Sequence, residues 1–335
     1  MKTKIHIFLG ILMGVLFIWL AIKGTDLKGI QSSFKSAHYF YAIPVALLAV
    51  IILALRSYRW GVLLEPLEKI DQWSLFTITT VGFMAVNLLP VRLGEFVRPY
   101  LISKKSSIKI GSSLATIVVE RVFDMLTLMI VLLVVLMKVK LPNWIFTSAC
   151  SILLIVIPLF CILIFIAVKR ELSAKGIDRI LRKLPHSLSS RLMRIFHSFL
   201  DGLQILPDLK KVFYLAFLSV TIWCLVGVAT YILFPSLAST LGLPLVAAFV
   251  VLTITVLGIT LPTAPGFVGN YHFSCVLALT LFGVPKTDAL TFAILLHFIQ
   301  IMVTIVLGLL FLPFMKVSLP ALFKGSSKIN AQGNT

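Results

Sequence analysis

Six ionisable residues lie inside or beside long apolar runs: Arg92, Glu95, Arg98, Glu120, Arg121 and Asp124. Charge at that depth is costly unless partnered, so these positions are the first candidates for function. The run Asn87-Leu88-Leu89-Pro90-Val91-Arg92-Leu93-Gly94-Glu95-Phe96-Val97-Arg98-Pro99 carries three of them. Pro90, Gly94 and Pro99 break a helix and free backbone polar groups, which is tolerated at depth only inside protein or along a wet cavity. Arg92 and Arg98 bear planar forks suited to phosphate oxygens, and Glu95 can orient one of them. A loop with an internal Arg–Glu pair fits the same residues. The second group, Glu120-Arg121-Val122-Phe123-Asp124, puts two carboxylates on one helical face at i,i+4 with Arg121 beside them. These residues suit either a structural ion pair, with Arg92 and Arg98 as the nearest candidate partners in sequence, or a ligand-facing or proton-relay role.

A third group is neutral. In Pro262-Thr263-Ala264-Pro265-Gly266-Phe267-Val268-Gly269-Asn270-Tyr271-His272 a broken backbone precedes an apolar run, with Asn270, Tyr271 and His272 as polar groups. A helix starting near Val268 would aim its first N–H groups at an anion. A histidine such as His272 is more often a hydrogen-bonded interior group than a relay; His297 and Gln300, on one face of the last helix, are weaker candidates of the same kind. Arg56 and Arg59, in Leu55-Arg56-Ser57-Tyr58-Arg59-Trp60, read as interfacial anchors snorkelling beside Tyr58 and Trp60.

These residues must be positioned by membrane helices. Apolar residues make up 59% of the 335 and charged residues 13%, and mean hydropathy is +1.07. That composition excludes an ordinary soluble globule and a disordered chain. Apolar stretches fall at roughly 5–22, 39–55, 75–91, 112–137, 144–168, 212–233, 244–262, 267–283 and 288–315, most of them near the ~20 residues that cross a bilayer. The expected fold is an all-α polytopic membrane protein with six to eight transmembrane helices and one or two re-entrant hairpins. Cys150, Cys161, Cys224 and Cys275 lie in apolar runs at unrelated spacings and read as packing residues. Neither a metal nor a cofactor is expected.

Charge orients the chain. Thirty Lys and Arg face twelve Asp and Glu, a net +18. Ten of the basic residues fall in the connection 169–211, others in 92–109 and after 315, and none in 234–243. The positive-inside bias makes the basic regions and both termini cytoplasmic, in the cell (inner) membrane of a multi-pass protein. Anionic headgroups then account for the surplus, and nucleic acid is not needed as a partner. With both flanks on one side, 75–91 cannot be a simple crossing and is expected to re-enter over about 75–103. Charge does not decide whether 244–283 is two crossings or a second hairpin. If the latter, halves at about 39–137 and 212–315 form an inverted repeat, a plan that places binding sites where broken helices meet. The whole of 1–315 is then one transmembrane domain with a polar tail at 316–335. Apolar residues recur every three or four positions across 176–206, which predicts an amphipathic helix pair broken at Pro185 that lies on headgroups or packs on the protein.

The run Arg56-Ser57-Tyr58-Arg59-Trp60, Val81-Gly82-Phe83 through Asn87–Glu95, and Arg98, followed by Glu120–Asp124 and Pro265-Gly266-x-x-Gly269, resembles the transmembrane region of lysylphosphatidylglycerol synthases. That family is also called flippase-like or UPF0104. The resemblance covers about 5–315. It departs at the third motif, where Phe267 replaces a glycine and His272 stands where a glutamate is common. The resemblance implies lipid handling: flipping of aminoacylated phospholipids or lipid-linked saccharides. About twenty polar residues follow Leu312, so the synthases' aminoacyltransferase chemistry is not expected.

The leading expectation is a non-enzymatic transporter or flippase for an anionic or glycosylated lipid, polyprenyl-phosphate-linked lipids included. Its substrate-binding residues are expected among Asn87, Arg92, Glu95, Arg98, Glu120, Arg121, Asp124, Pro265, Gly266, Gly269, Asn270 and His272. The alternatives are a membrane-embedded transferase on a lipid phosphate, with Glu120 or Asp124 as base, and a scaffold delivering lipid to a partner synthase or glycosyltransferase.

Overall fold

The computed structural model describes residues 2–89, 94–139, 142–182, 185–261 and 264–315. All regular elements among them are helical: α1 (Lys2–Ile22), α2 (Leu27–Ser36), α3 (Ala42–Leu64), α4 (Gln72–Leu88), α5 (Val97–Lys105), α6 (Ile110–Leu136), α7 (Asn143–Val168), α8 (Arg170–Leu181), α9 (His186–Gly202), α10 (Leu209–Leu233), α11 (Leu245–Thr260), α12 (Asn270–Thr280) and α13 (Lys286–Phe311). Tyr39–Leu64, Asn143–Val168, Leu209–Ser236 and Lys286–Met315 are long and apolar enough to cross a membrane. Helix α6, at 27 residues, is as long, but Glu120, Arg121 and Asp124 interrupt its apolar character. The protein is an all-α polytopic membrane protein.

Polar contacts sort the loops to two ends. At the basic end Lys211 Nζ donates to Glu65 Oε2 at 2.8 Å, and Ser107 donates from N and Oγ to Glu68 Oε2 at 2.9 and 2.6 Å. At the opposite end His38 N donates to Ser236 O at 2.9 Å, and Lys286 Nζ to Leu20 O at 3.0 Å. Helix α4 starts at the basic end, N-capped by Asp71, whose Oδ1 accepts from Ser74 N at 2.8 Å. Helix α5 returns there, with Lys105 Nζ bonded to Ser74 Oγ. Helices α4 and α5 thus form the expected re-entrant hairpin. Gly94, in its turn, lies so close to α4 that a Cβ would sit 2.2 Å from Val86 N, so a side chain there would push the turn away.

Helices α11 and α12 form the second hairpin, resolving what charge left open. Their 16 and 11 residues reach about 24 and 17 Å at 1.5 Å per residue, short of a ~30 Å hydrocarbon core. They leave and rejoin the end opposite the basic one. The turn between them is tight: Gly266 and Gly269 take positive φ (65° and 95°), and so does Phe267 (58°), a left-handed conformation uncommon for a side chain of that bulk.

The hairpin tips meet. Asn87 Nδ2 at the end of α4 donates to Thr304 Oγ1 at 2.8 Å, and a Cβ on Gly266 would stand 3.4 Å from Asn87 O. Around them α3 packs on α10, α4 on α13 and α6 on α11, while α3 also touches α13 and α10 touches α6. Exchanging the set α3–α6 with the set α10–α13 leaves these pairings unchanged. Beyond Pro185, α9 packs on α6: a Cβ on Gly202 would meet Ser112 O at 2.1 Å, and one on Gly111 would meet Ser198 Cβ at 2.9 Å. At these positions the amphipathic segment lies on the protein.

Candidate functional site

Helix α3 sets the charged core. Its apolar run ends at Leu55, but the helix continues to Leu64, which carries Arg56 and Arg59 into the protein instead of to an interface. Arg59 is 1% exposed. Its Nη1 donates to Asp124 Oδ1 and to Ser219 Oγ, both at 2.7 Å, and its Nη2 lies 3.4 Å from Glu120 Oε1. The snorkelling expected of Arg59 is therefore corrected: it is a buried partner of two carboxylates. Such buried charges are tolerable because they face groups of opposite charge, although Arg59 Nε finds no hydrogen-bond partner among the described residues.

Arg98 completes the grip on Glu120. Nη1 and Nη2 donate to Oε1 and Oε2 at 3.2 and 2.7 Å, a bidentate geometry. The guanidinium lies over the Trp60 and Phe83 rings, with centroids at 4.5 and 5.6 Å. Gly82 makes room for its stem, since a Cβ there would meet Arg98 Cγ at 2.4 Å. The fork expected to face phosphate is filled by Glu120. Asp124 also accepts from Trp223 Nε1 at 3.0 Å. Arg121 bridges Asp124 Oδ2 and Glu95 Oε1 at 3.5 and 3.8 Å. Arg92 lies outside the described residues.

A cavity of about 290 Å³ opens beside this network. Arg56, Glu95, Arg121 and Asp124 reach its wall, as do Tyr271, His297, Gln300 and Thr304, among mostly apolar residues of α3, α4, α10 and α11. Arg56, expected like Arg59 to be an interfacial anchor, instead stands on the cavity wall, a role the sequence did not reveal. Its guanidinium sits 5.1 Å from the Trp223 ring and 5.3 Å from that of Phe83, in cation–π range. Among the described residues it makes no ion pair and no side-chain hydrogen bond. With Arg56, Arg59, Arg98 and Arg121 against Glu95, Glu120 and Asp124, the described residues of the cluster hold one positive charge in surplus. A helix-period signal was present: Arg56, Arg59 and Leu63 recur at i, i+3, i+7, the spacing of one buried face.

The neutral motif divides. Tyr271 stacks on His297 with centroids 4.0 Å apart and planes 9° apart, and Tyr271 Oη donates to Gln300 Oε1 at 3.4 Å. His272 Nδ1 accepts from Gly269 N at 3.4 Å and Asn270 Nδ2 donates to Gly258 O at 3.3 Å. His272 thus engages one of the N–H groups that an anion would have used. Pro265 and Gly266 shape the turn against Asn87. Among the described residues there is no group of three metal-ligating side chains.

A family model described as the lysylphosphatidylglycerol synthase TM region matches residues 7–308. A UPF0104 membrane protein of Methanothermobacter thermautotrophicus is 25% identical over 255 residues, covering 72% of this chain and 75% of that one. A UPF0104 membrane protein of Methanocaldococcus jannaschii is 22% identical over 326 residues, covering 91% and 93%. Glycosyltransferase AglD of Haloferax volcanii is 29% identical over 126 residues, 37% of this chain but 20% of that protein. No solved structure matches the chain. The ordered motifs and a family model that spans most of the sequence agree: the chain belongs to the lysylphosphatidylglycerol synthase transmembrane region family, together with UPF0104 membrane proteins.

Proposed function

We propose that this protein carries a phosphate-bearing lipid across the membrane, holding its headgroup in the central cavity while the two halves alternate in exposing it. The observation that carries this reading is Arg56: an arginine on the cavity wall, flanked by aromatic rings and without an ionic partner among the described residues. A phosphate there gains a charge-assisted contact and takes up the cluster's surplus charge. Arg59 and Arg98 serve as the frame that holds Glu120 and Asp124 in place. Because arginines hold both carboxylates, the reading favours carriage over chemistry on the lipid. Lipid-linked sugars are among the cargoes it admits, since the AglD relative is named a glycosyltransferase. The basic end is taken as cytoplasmic, beside anionic headgroups of the cell membrane.

The test is leaflet exchange of a fluorescent anionic phospholipid in proteoliposomes of purified protein. Arg56→Gln is expected to slow exchange at least tenfold, as loss of a charge-assisted hydrogen bond of ~1.5–3 kcal/mol implies. An unchanged rate in a folded variant overturns the reading. A second reading, delivery of lipid to a partner glycosyltransferase, is favoured by the same relative. It predicts no exchange by the purified protein and activity only when the partner is present.

A further inference from the structure

We infer that the cavity contains two unlike half-sites, and that the half built from Tyr271, His297 and Gln300 recognises an uncharged, hydroxyl-bearing part of the headgroup. This rests on the reading that the cavity receives a phosphate-bearing lipid. Helices α6 and α13 close the two exchangeable sets, and they line the cavity with the same spacing. From α6 come Arg121, Asp124, Met125 and Leu128, and from α13 His297, Gln300, Ile301 and Thr304: i, i+3, i+4, i+7 in both. One face of each helix is therefore presented, but the chemistry differs. The α6 face is charged and the α13 face is neutral and hydrogen-bonding.

The neutral half offers both senses of hydrogen bond. Gln300 Oε1 accepts from Tyr271 Oη, while its Nε2 donates to no group among the described residues. The stacked Tyr271 and His297 rings supply a flat wall beside it. Hydroxyls both donate and accept and suit such a wall. The carboxylates that reach the cavity, Glu95 and Asp124, both sit on the charged half, where Arg121 contacts each. An ammonium group placed beside Gln300 therefore lacks a counter-ion. A lipid without hydroxyls leaves the amide unpaired, and a site built to hydrogen-bond its ligand discriminates by that penalty.

Phosphatidylglycerol and phosphatidylpropanol with identical acyl chains share phosphate, charge and length and differ only in two hydroxyls. Native mass spectrometry of the purified full chain reads their retention in competition, with phosphatidylethanolamine as a third probe. The wild type is expected to retain phosphatidylglycerol over phosphatidylpropanol by about threefold or more, as one or two net hydrogen bonds imply. Gln300→Met and Tyr271→Phe, which keep side-chain size, are each expected to move that ratio towards one, the loss falling on phosphatidylglycerol. Should one variant fail to fold, the other carries the test. Equal retention of the two lipids by the wild type, preference for phosphatidylethanolamine, or a ratio unmoved in the variants overturns the half-site while leaving the phosphate reading in place. Failure of the wild type to retain either anionic lipid overturns that underlying reading, and the half-site with it.

Discussion

Glu120 is held from two sides, by the Arg98 fork and by Arg59, and does not line the cavity. Removing one partner from a buried ion pair leaves an uncompensated charge, which costs ~3–5 kcal/mol. Arg98→Ala is therefore expected to lower the melting temperature in detergent steeply. Arg56→Gln, at a residue without an ionic partner among those described, is expected to leave it nearly unchanged. Comparable losses in the two variants would mean that Arg56 also belongs to the frame and is not held ready for a ligand. The carboxylates at depth were legible in the sequence because charge is scarce there, and Arg98 stood out as a candidate partner for the same reason. Arg59 and Arg56 were not, because the apolar run stops at Leu55 while the helix does not. Helix ends follow backbone hydrogen bonding, and an amphipathic last stretch with a buried Trp60 extends a helix without extending its hydropathy.

Among elements, the two hairpins differ in how far sequence reveals them. The first was forced by charge: two basic flanks cannot bracket one crossing. The second is neutral throughout, so only the shortness of α11 and α12 betrays it, and their limits depend on the tight turn at Gly266–Gly269. Helix α2 escaped notice because its ten residues, capped by Asp26, carry no long apolar run. Helix α4 depends on a cap in the same way. Ser74, through its hydroxyl and backbone N–H, holds the Asp71 carboxyl below the usual carboxylate range. Asp71→Ala is expected to cost ~1 kcal/mol, read as a lowered melting temperature at pH 7. A carboxyl whose folded value is depressed contributes its stability above the unfolded value of ~3.9 and loses it as pH falls through the folded value. The gap between wild type and Asp71→Ala is thus expected to narrow under acid conditions below that value. A gap that stays constant down to pH 2 would assign the cap's contribution to something other than the ionised carboxylate.

At the scale of the whole molecule, the two exchangeable interfaces are not in the same condition. The α4–α13 seam is closed along its length. Trp73 and Phe76 meet Phe311 with centroids at 5.3 and 5.6 Å near the basic end. Met84 fills the space over Gly308, where a Cβ would meet Met84 Cβ at 2.4 Å, and Asn87 bonds Thr304 at the tip. Its counterpart between α6 and α11 is packed less extensively, and both seams reach the cavity wall, Asn87 and Thr304 on one and Asp124, Leu128, Val251 and Thr255 on the other. On the proposed alternation, two halves with the same pairings exchange roles, and the converse arrangement has α4–α13 parted and α6–α11 closed. Carriage of a headgroup requires visiting both. A bifunctional reagent joining Asn87→Cys to Thr304→Cys would hold the tips together across the closed seam. It is expected to stop lipid exchange in proteoliposomes while lipid retention persists, with exchange recovered when a cleavable reagent is reduced. Exchange that continues at the uncross-linked rate would show that the seam never parts, and that lipid moves by a route other than alternation of the two halves.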